Sequence, residues 1–154
     1  MSDGIGYLLS DSARLLRRRF DERARGLGVS RPQWQVLFAL SRAEGTNQAG
    51  LAEALDVETI TVGRMVDRLE EAGLVERRAD PADRRAWRLH LTARAHPLLA
   101  QLREVGEEVM AETLSGLDSA EQVVLTELLI RVRSNLQRRP EPGAQPRVRA
   151  GSRR

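Results

Sequence analysis

Residues 47–92, NQAGLAEALDVETITVGRMVDRLEEAGLVERRADPADRRAWRLHLT, constrain the fold more than any other stretch of the chain. Asn47 is a good helix N-cap, because its side-chain oxygen can accept from the free amides of a first turn. Leu51, Ala52 and Leu55 then give a short helix over 47–55 one small apolar face. Gly50 stands where a glutamate would complete a capping box with Asn47, so this helix is expected to be weak. Asp56-Val57-Glu58 turns the chain. Residues 59–72 predict a second helix, with Ile60, Val62 or Gly63, Val66 and Leu69 toward a core at helical spacing. Gly73 stops it, as a left-handed residue beyond a helix C-terminus does. Residues 74–78 are strand-like, and Trp87-Arg88-Leu89-His90-Leu91 alternates apolar and polar as a half-buried strand should. The turn-rich loop 79–86 between them carries Arg84 and Arg85 at its tip.

Two helices joined by a short turn read as a helix-turn-helix, whose second helix enters a DNA major groove. The hairpin attached to it reads as a wing. On these residues the chain resembles the MarR family of bacterial transcription regulators: DRLEEAGLVERRADPADRRAWRLHLT carries the likeness, and 5–137 fits the family plan. Asp83 and Arg85 in the wing, with Leu91-Thr92 closing the second strand, match the family's marks. DRRAWRLHLT followed by ARAHPLL is most similar to its SlyA-like branch. The resemblance implies a homodimer, operator binding and a small-molecule effector.

The expected fold is mainly α with a small β-wing, as one domain over 1–139. Within it the DNA-binding lobe covers 31–92, and dimerisation helices cover 5–26 and 93–138. The first helix carries Ile5, Leu8, Leu9, Leu15, Leu16, Phe20, Ala24 and Leu27 as an apolar stripe, with Gly26 and Gly28 at its end; Arg17-Arg18-Arg19 is a solvated face or, as the alternative, a contact to DNA phosphate. Ser30 can cap a helix over 31–43 that tolerates Pro32 early. Thr92 can cap a fifth helix that runs to about 115 and accommodates Pro97 near its start. Asp118 and Glu121 form a capping-box pattern for a sixth helix to about 138. The first, fifth and sixth helices are more apolar than a small winged domain needs to cover itself, which points to a homodimer.

Charge matters only once it is divided. All 25 basic residues are arginine; positions 138–154 hold six of them against one acid, so this segment is +5, while 19 arginines and 21 acids leave −2 for the rest. A DNA-binding reading must therefore rest on local placement. From Pro140 the composition shifts to Pro, Gly, Ala, Gln and Arg, and 140–154 reads as a disordered basic tail. With no cysteine, disulfides, cysteine-ligated metals and thiol redox sensing are excluded. No N-terminal signal pattern and no apolar run of about 18–20 residues is present, so a cytoplasmic protein without a membrane span is expected. His90 and His96 lack further ligands around them, so neither a metal nor a cofactor is expected. No catalytic constellation appears.

Candidate DNA contacts follow residue by residue. Thr59 and Thr61 can hydrogen-bond bases or phosphates, and a threonine methyl can pack on a thymine methyl. Arg64, one turn on, suits a guanine edge or a phosphate; Arg68 reaches phosphate or pairs with Glu71. In the wing, the resemblance makes Arg85 the minor-groove arginine and Asp83 its orienting partner, in keeping with the negative potential of a narrow groove. Arg84 and Arg88 are expected on phosphates. Trp87 replaces the polar residue expected in a SlyA-like wing; it either packs on the hairpin or is exposed. Trp34 either fills the core between the first helices or, as the resemblance implies, walls a ligand pocket with Arg14 and Arg17 nearby, suited to a small aromatic or phenolic ligand. The expected function is a homodimeric repressor of a pseudo-palindromic operator, relieved by such a ligand. The alternatives are a winged-helix protein–protein interaction module and a counter-silencing activator without an effector.

Overall fold

A computed structural model describes residues 2–83 and 85–138; Arg84 and 139–154, including the tail expected at 140–154, lie outside them. Six α-helices and one two-stranded antiparallel sheet make up the described residues: α1 (Ser2–Ala24), α2 (Arg31–Arg42), α3 (Gln48–Leu55), α4 (Thr59–Glu71), β1 (Val75–Ala79), β2 (Trp87–Leu91), α5 (Ala95–Thr113) and α6 (Ser119–Gln137). The chain divides into two compact units, Met1–Thr113 and Leu114–Arg154. That boundary falls inside the segment 93–138 assigned from sequence to dimerisation helices.

In the first unit, α1 ends in a 3₁₀ turn, Arg25–Leu27, closed by Gly28 at φ 75°. Ser30 precedes α2, and Gln33 Oε1 accepts from both its N–H (2.9 Å) and its hydroxyl (2.8 Å). Asn47 caps α3 by accepting from the Gly50 N–H at 2.8 Å. A Cβ at position 50 would lie 2.5 Å from Thr46 Oγ1, so the missing side chain makes room for Thr46. Asp56 turns the chain between α3 and α4 in the left-handed region, φ 53°, which aspartate tolerates better than most residues.

α4 ends as expected at Gly73, φ 68°. The Leu74 N–H reaches Leu69 O and the Gly73 N–H reaches Glu70 O, both at 2.9 Å, which satisfies two carbonyls of the last turn. The hairpin follows at once, with Val75 opposite Leu91 and Ala79 opposite Trp87. A further edge pairs with β2: Leu89 donates to Thr46 O and accepts from the Gly45 N–H, each at 2.9 Å. The segment before α3 is thereby tied to the wing.

The core is one cluster. Val36, Leu37 and Leu40 of α2, Leu51 and Ala52 of α3, Val62, Val66 and Leu69 of α4, and Val75, Leu89 and Leu91 of the hairpin pack with Ala24, Ala95, Leu99 and Leu102. Ile60 was expected in it and is not: it is 63% exposed. At about 100° per residue it stands roughly 180–240° around α4 from Val62, Val66 and Leu69, on the opposite face. Thr92 also departs from expectation. Its hydroxyl donates to Gly73 O at 2.7 Å instead of capping α5, which begins at Ala95. The carbonyl of a residue just past a helix end has no helical partner, and Thr92 supplies one.

Pro97 lies in the first turn of α5, where a missing amide costs little. The N-terminal half of α1 leaves Ile5, Tyr7, Leu8, Leu9 and Leu15 exposed. In the second unit, α6 begins with a reciprocal cap: Asp118 Oδ1 accepts from the Glu121 N–H and Glu121 Oε2 from the Asp118 N–H, both at 2.9 Å. α6 buries none of its residues in this chain, although it carries Val123, Val124, Leu125, Leu128, Leu129 and Val132.

Candidate nucleic-acid interface and adjoining pocket

The buried stripe of α4 fixes what its other face presents. Ile60, Arg64 and Arg68 follow one another at i, i+4, i+8 along the exposed ridge; Thr59 is exposed at its start and Thr61 half-buried beside it. Thr61, Arg64 and Arg68 form one wall of a groove of about 490 Å³ whose other wall is Ser30, Pro32 and Gln33 at the start of α2. The pairing of Arg68 with Glu71 is not formed. Among the described residues Arg64, Arg68 and Arg85 enter no ion pair, while Arg77, Arg78 and Arg88 each do.

Two of those arginines, Arg77 and Arg88, brace the wing. Arg77 of β1 bonds Asp67 at 2.5 Å and Glu70 of α4, fixing the strand against the helix. Burial works against its charge, but the two carboxylates outweigh burial and raise its pKa. Arg88 donates to Asp80 Oδ2 at 2.8 Å and to Gly45 O at 3.2 Å. Its guanidinium therefore ties the hairpin to the segment before α3. The Ala82 N–H, and after it Arg88, keep the Asp80 carboxyl below its ordinary pKa.

At the wing tip Asp83 Oδ1 accepts from the Arg85 N–H at 2.9 Å, and Asp83 O accepts from the Ala86 N–H at 2.9 Å. Asp83 thus shapes the backbone under Arg85 and leaves the exposed guanidinium without an ion-pair partner among the described residues. Arg84 lies outside the described residues. Trp87, opposite Ala79, is exposed.

A second feature lies between α1, α2 and α5. A cavity of about 190 Å³ is lined by Leu16, Arg17, Phe20, Trp34, Gly106, Val109 and Met110. Trp34 meets Phe20 edge-on at 4.8 Å between centroids and Phe38 at 6.0 Å. Its indole N–H donates to Asp21 Oδ1 at 2.9 Å, and Asp21 Oδ2 accepts from Arg31 Nε at 2.7 Å. Trp34 is therefore both a half-buried packing residue and a pocket wall. Arg17 lines the cavity with the apolar stem of its side chain; Arg14 does not line it, but pairs with Asp11 at 2.6 Å.

A sequence profile of the MarR family matches residues 27–86. The solved transcriptional regulator PA3341 is 37% identical, with a TM-score of 0.77 over 88% of this chain and 99% of that one. A cysteine-to-serine mutant of MarR from E. coli, solved in complex with operator DNA, is 28% identical, with a TM-score of 0.73 over 84% of this chain and 93% of that one. The transcriptional regulator SlyA is 25% identical, with a TM-score of 0.75 over 86% and 93%. This chain belongs to the MarR family. It has the winged-helix fold of DNA-binding transcription regulators.

Sequence reasoning missed three residues that position this MarR-family surface. Arg77 stands in a stretch whose pattern marks it only as a strand residue. Gln48 donates from Nε2 to Thr59 O at 2.9 Å and so joins the two helices of the motif. Its signal was Gly63: a glycine inside a helix is costly, and a Cβ there would lie 2.9 Å from Gln48 Nε2. The third is Ile60, misplaced into the core. Among the described residues there is no group of three or more possible metal ligands, and no helix long and apolar enough to cross a membrane.

Proposed function

We propose that the chain is a homodimeric repressor that reads a pseudo-palindromic operator and is released by a small aromatic acid. Thr59, Thr61 and Arg64 meet base edges or phosphates in the major groove, and Arg68 a phosphate. Arg85 enters the minor groove, with Arg84 on the adjoining backbone. The observation that carries this reading is the contrast among arginines: those on the α4 ridge and at the wing tip enter no ion pair among the described residues, while Arg77, Arg78 and Arg88 of the two wing strands do. Unpaired guanidinium groups on one surface suit phosphate and base edges, where they form charge-assisted bonds.

Homodimerisation is supported by the apolar residues that α1 and α6 leave exposed, an arrangement that a second copy would bury. A twofold dimer sets two recognition helices roughly 34–36 Å apart, one turn of DNA. The pocket supports the effector. Its aromatic wall suits stacking on a small aromatic ring, and the guanidinium of Arg17 would have to turn toward the cavity to meet a carboxylate.

Light scattering gives the oligomeric state, and selection from random DNA gives the operator. Salicylate-like acids are then titrated in a Trp87→Phe background, where Trp34 is the remaining tryptophan reporter, and operator binding is repeated at saturating acid. A Trp34 signal with weakened operator binding is expected. A signal without any change in operator affinity would mean a pocket without regulation, and failure to enrich any sequence would remove the operator reading itself.

A further inference from the structure

We propose that Ile60 reads the 5-methyl group of a thymine in each operator half-site; this rests on the DNA-binding reading above. Ile60 is in the first turn of α4, the part of a recognition helix that goes deepest into a major groove. It is 63% exposed, and the core stripe of Val62, Val66 and Leu69 lies on the other side of the helix. A lone exposed isoleucine is unremarkable on a protein surface. This one occupies the ridge of Arg64 and Arg68, with Val57, also exposed at 37%, just before the helix.

The chemistry of the ridge is divided. The arginines begin one turn into the helix, and the first turn offers Thr59, Ile60 and Thr61 with no cation. Cations one and two turns on suit phosphates and guanine acceptors. An apolar, branched tip in the first turn suits the one apolar group that base edges show in the major groove, the thymine methyl. Isoleucine has no polar atom with which to satisfy a guanine, adenine or cytosine edge. A cytosine amine or purine acceptor placed against it would lose water without gaining a hydrogen bond. Ile60 therefore selects as well as attracts, at a position where the threonines beside it are more permissive.

The test uses an operator obtained by selection, in which each thymine of a half-site is replaced in turn by deoxyuridine, removing only the methyl. Wild-type protein is expected to lose about fourfold in affinity at one thymine per half-site, and about 15-fold when both symmetry-related methyls are removed, the effect of leaving one and two methyl groups unburied. Ile60→Ala should bind the thymine operator about as weakly as wild type binds the deoxyuridine one, and should no longer distinguish the two. Ile60→Val should retain a partial preference. Melting temperature and the salt dependence of binding should be unchanged in both variants, because Ile60 is outside the core and carries no charge. If Ile60→Ala keeps the full deoxyuridine effect at every thymine, the inference is overturned while DNA reading stands. If no sequence is enriched, both fall together.

Discussion

Removing the Asp21 carboxylate should unfasten Trp34 and Arg31 from α1. The side chain of Asp21 is 15% exposed, accepts from the Trp34 indole at 2.9 Å, and accepts from Arg31 with its other oxygen. In Asp21→Ala the half-buried indole N–H loses its partner, which costs about 1–3 kcal/mol. The Arg31 pair is solvent-exposed on the arginine side and adds the smaller share. We expect a loss of about 2 kcal/mol at pH 7, read by urea unfolding. Asp21→Asn keeps an oxygen for Trp34 and should recover most of it. The remaining difference between aspartate and asparagine is electrostatic. Desolvation alone would raise the Asp21 pKa, but hydrogen bonds from Arg31 and Trp34 and the charges of Arg31 and Arg25 outweigh it and lower it. A carboxyl depressed in the folded state contributes stability that is complete above its unfolded pKa, about 3.9, and is lost as pH falls through the lower folded value. The Asp–Asn difference should thus be constant above about pH 4 and close below it. An Asp21→Ala protein as stable as wild type at pH 7, or a difference that grows on acidification, would refute the reasoning.

Arg85→Ala should leave unfolding unchanged and weaken operator binding by about 1–3 kcal/mol in a titration at matched salt; unchanged affinity would remove the wing from DNA contact. Thr92→Val, which deletes the hydroxyl bonded to Gly73 O, should destabilise by about 1–2 kcal/mol in chemical unfolding, since a half-buried carbonyl loses its donor. Deleting 140–154, which holds four arginines against one glutamate, should lower nonspecific DNA affinity and flatten its dependence on salt, the slope being set by the phosphates neutralised. An unaltered slope would show that these arginines do not meet DNA.

The features legible in the sequence are those decided within one helical turn. Asn47, Asp118 with Glu121, and Gly73 each act on amides or carbonyls three to five residues away, and each stands where expected. What was misread depended on partners farther off. Thr92 before a helix looks like a cap; only the return of β2 beside the end of α4 brings Gly73 O to its hydroxyl. Ile60 failed for another reason. Ile60, Thr61 and Val62 run together, so the first turn of α4 offers two apolar positions on opposite faces, and only the later Val66 and Leu69 decide between them. Trp34 carried two readings because its surroundings serve both: a ring packed against Phe20 and Phe38 also walls the cavity beside them.

The same helix carries the pocket wall and one edge of the groove beside α4, and this frames how an effector would act. Trp34 lines the cavity; Ser30, Pro32 and Gln33, within one turn of it on α2, face Thr61, Arg64 and Arg68 across the groove. Asp21 joins Trp34 and Arg31 to α1, so a ligand that displaced the indole would act on the tie between α1 and the start of α2. Such a ligand lowers operator affinity only to the extent that it prefers the arrangement in which that tie is altered. The tie consists of one half-buried hydrogen bond and one screened ion pair, so the difference available through it is on the order of 1–3 kcal/mol. That limits relief by this route to about 5–150-fold in operator affinity, a partial release even at saturating effector.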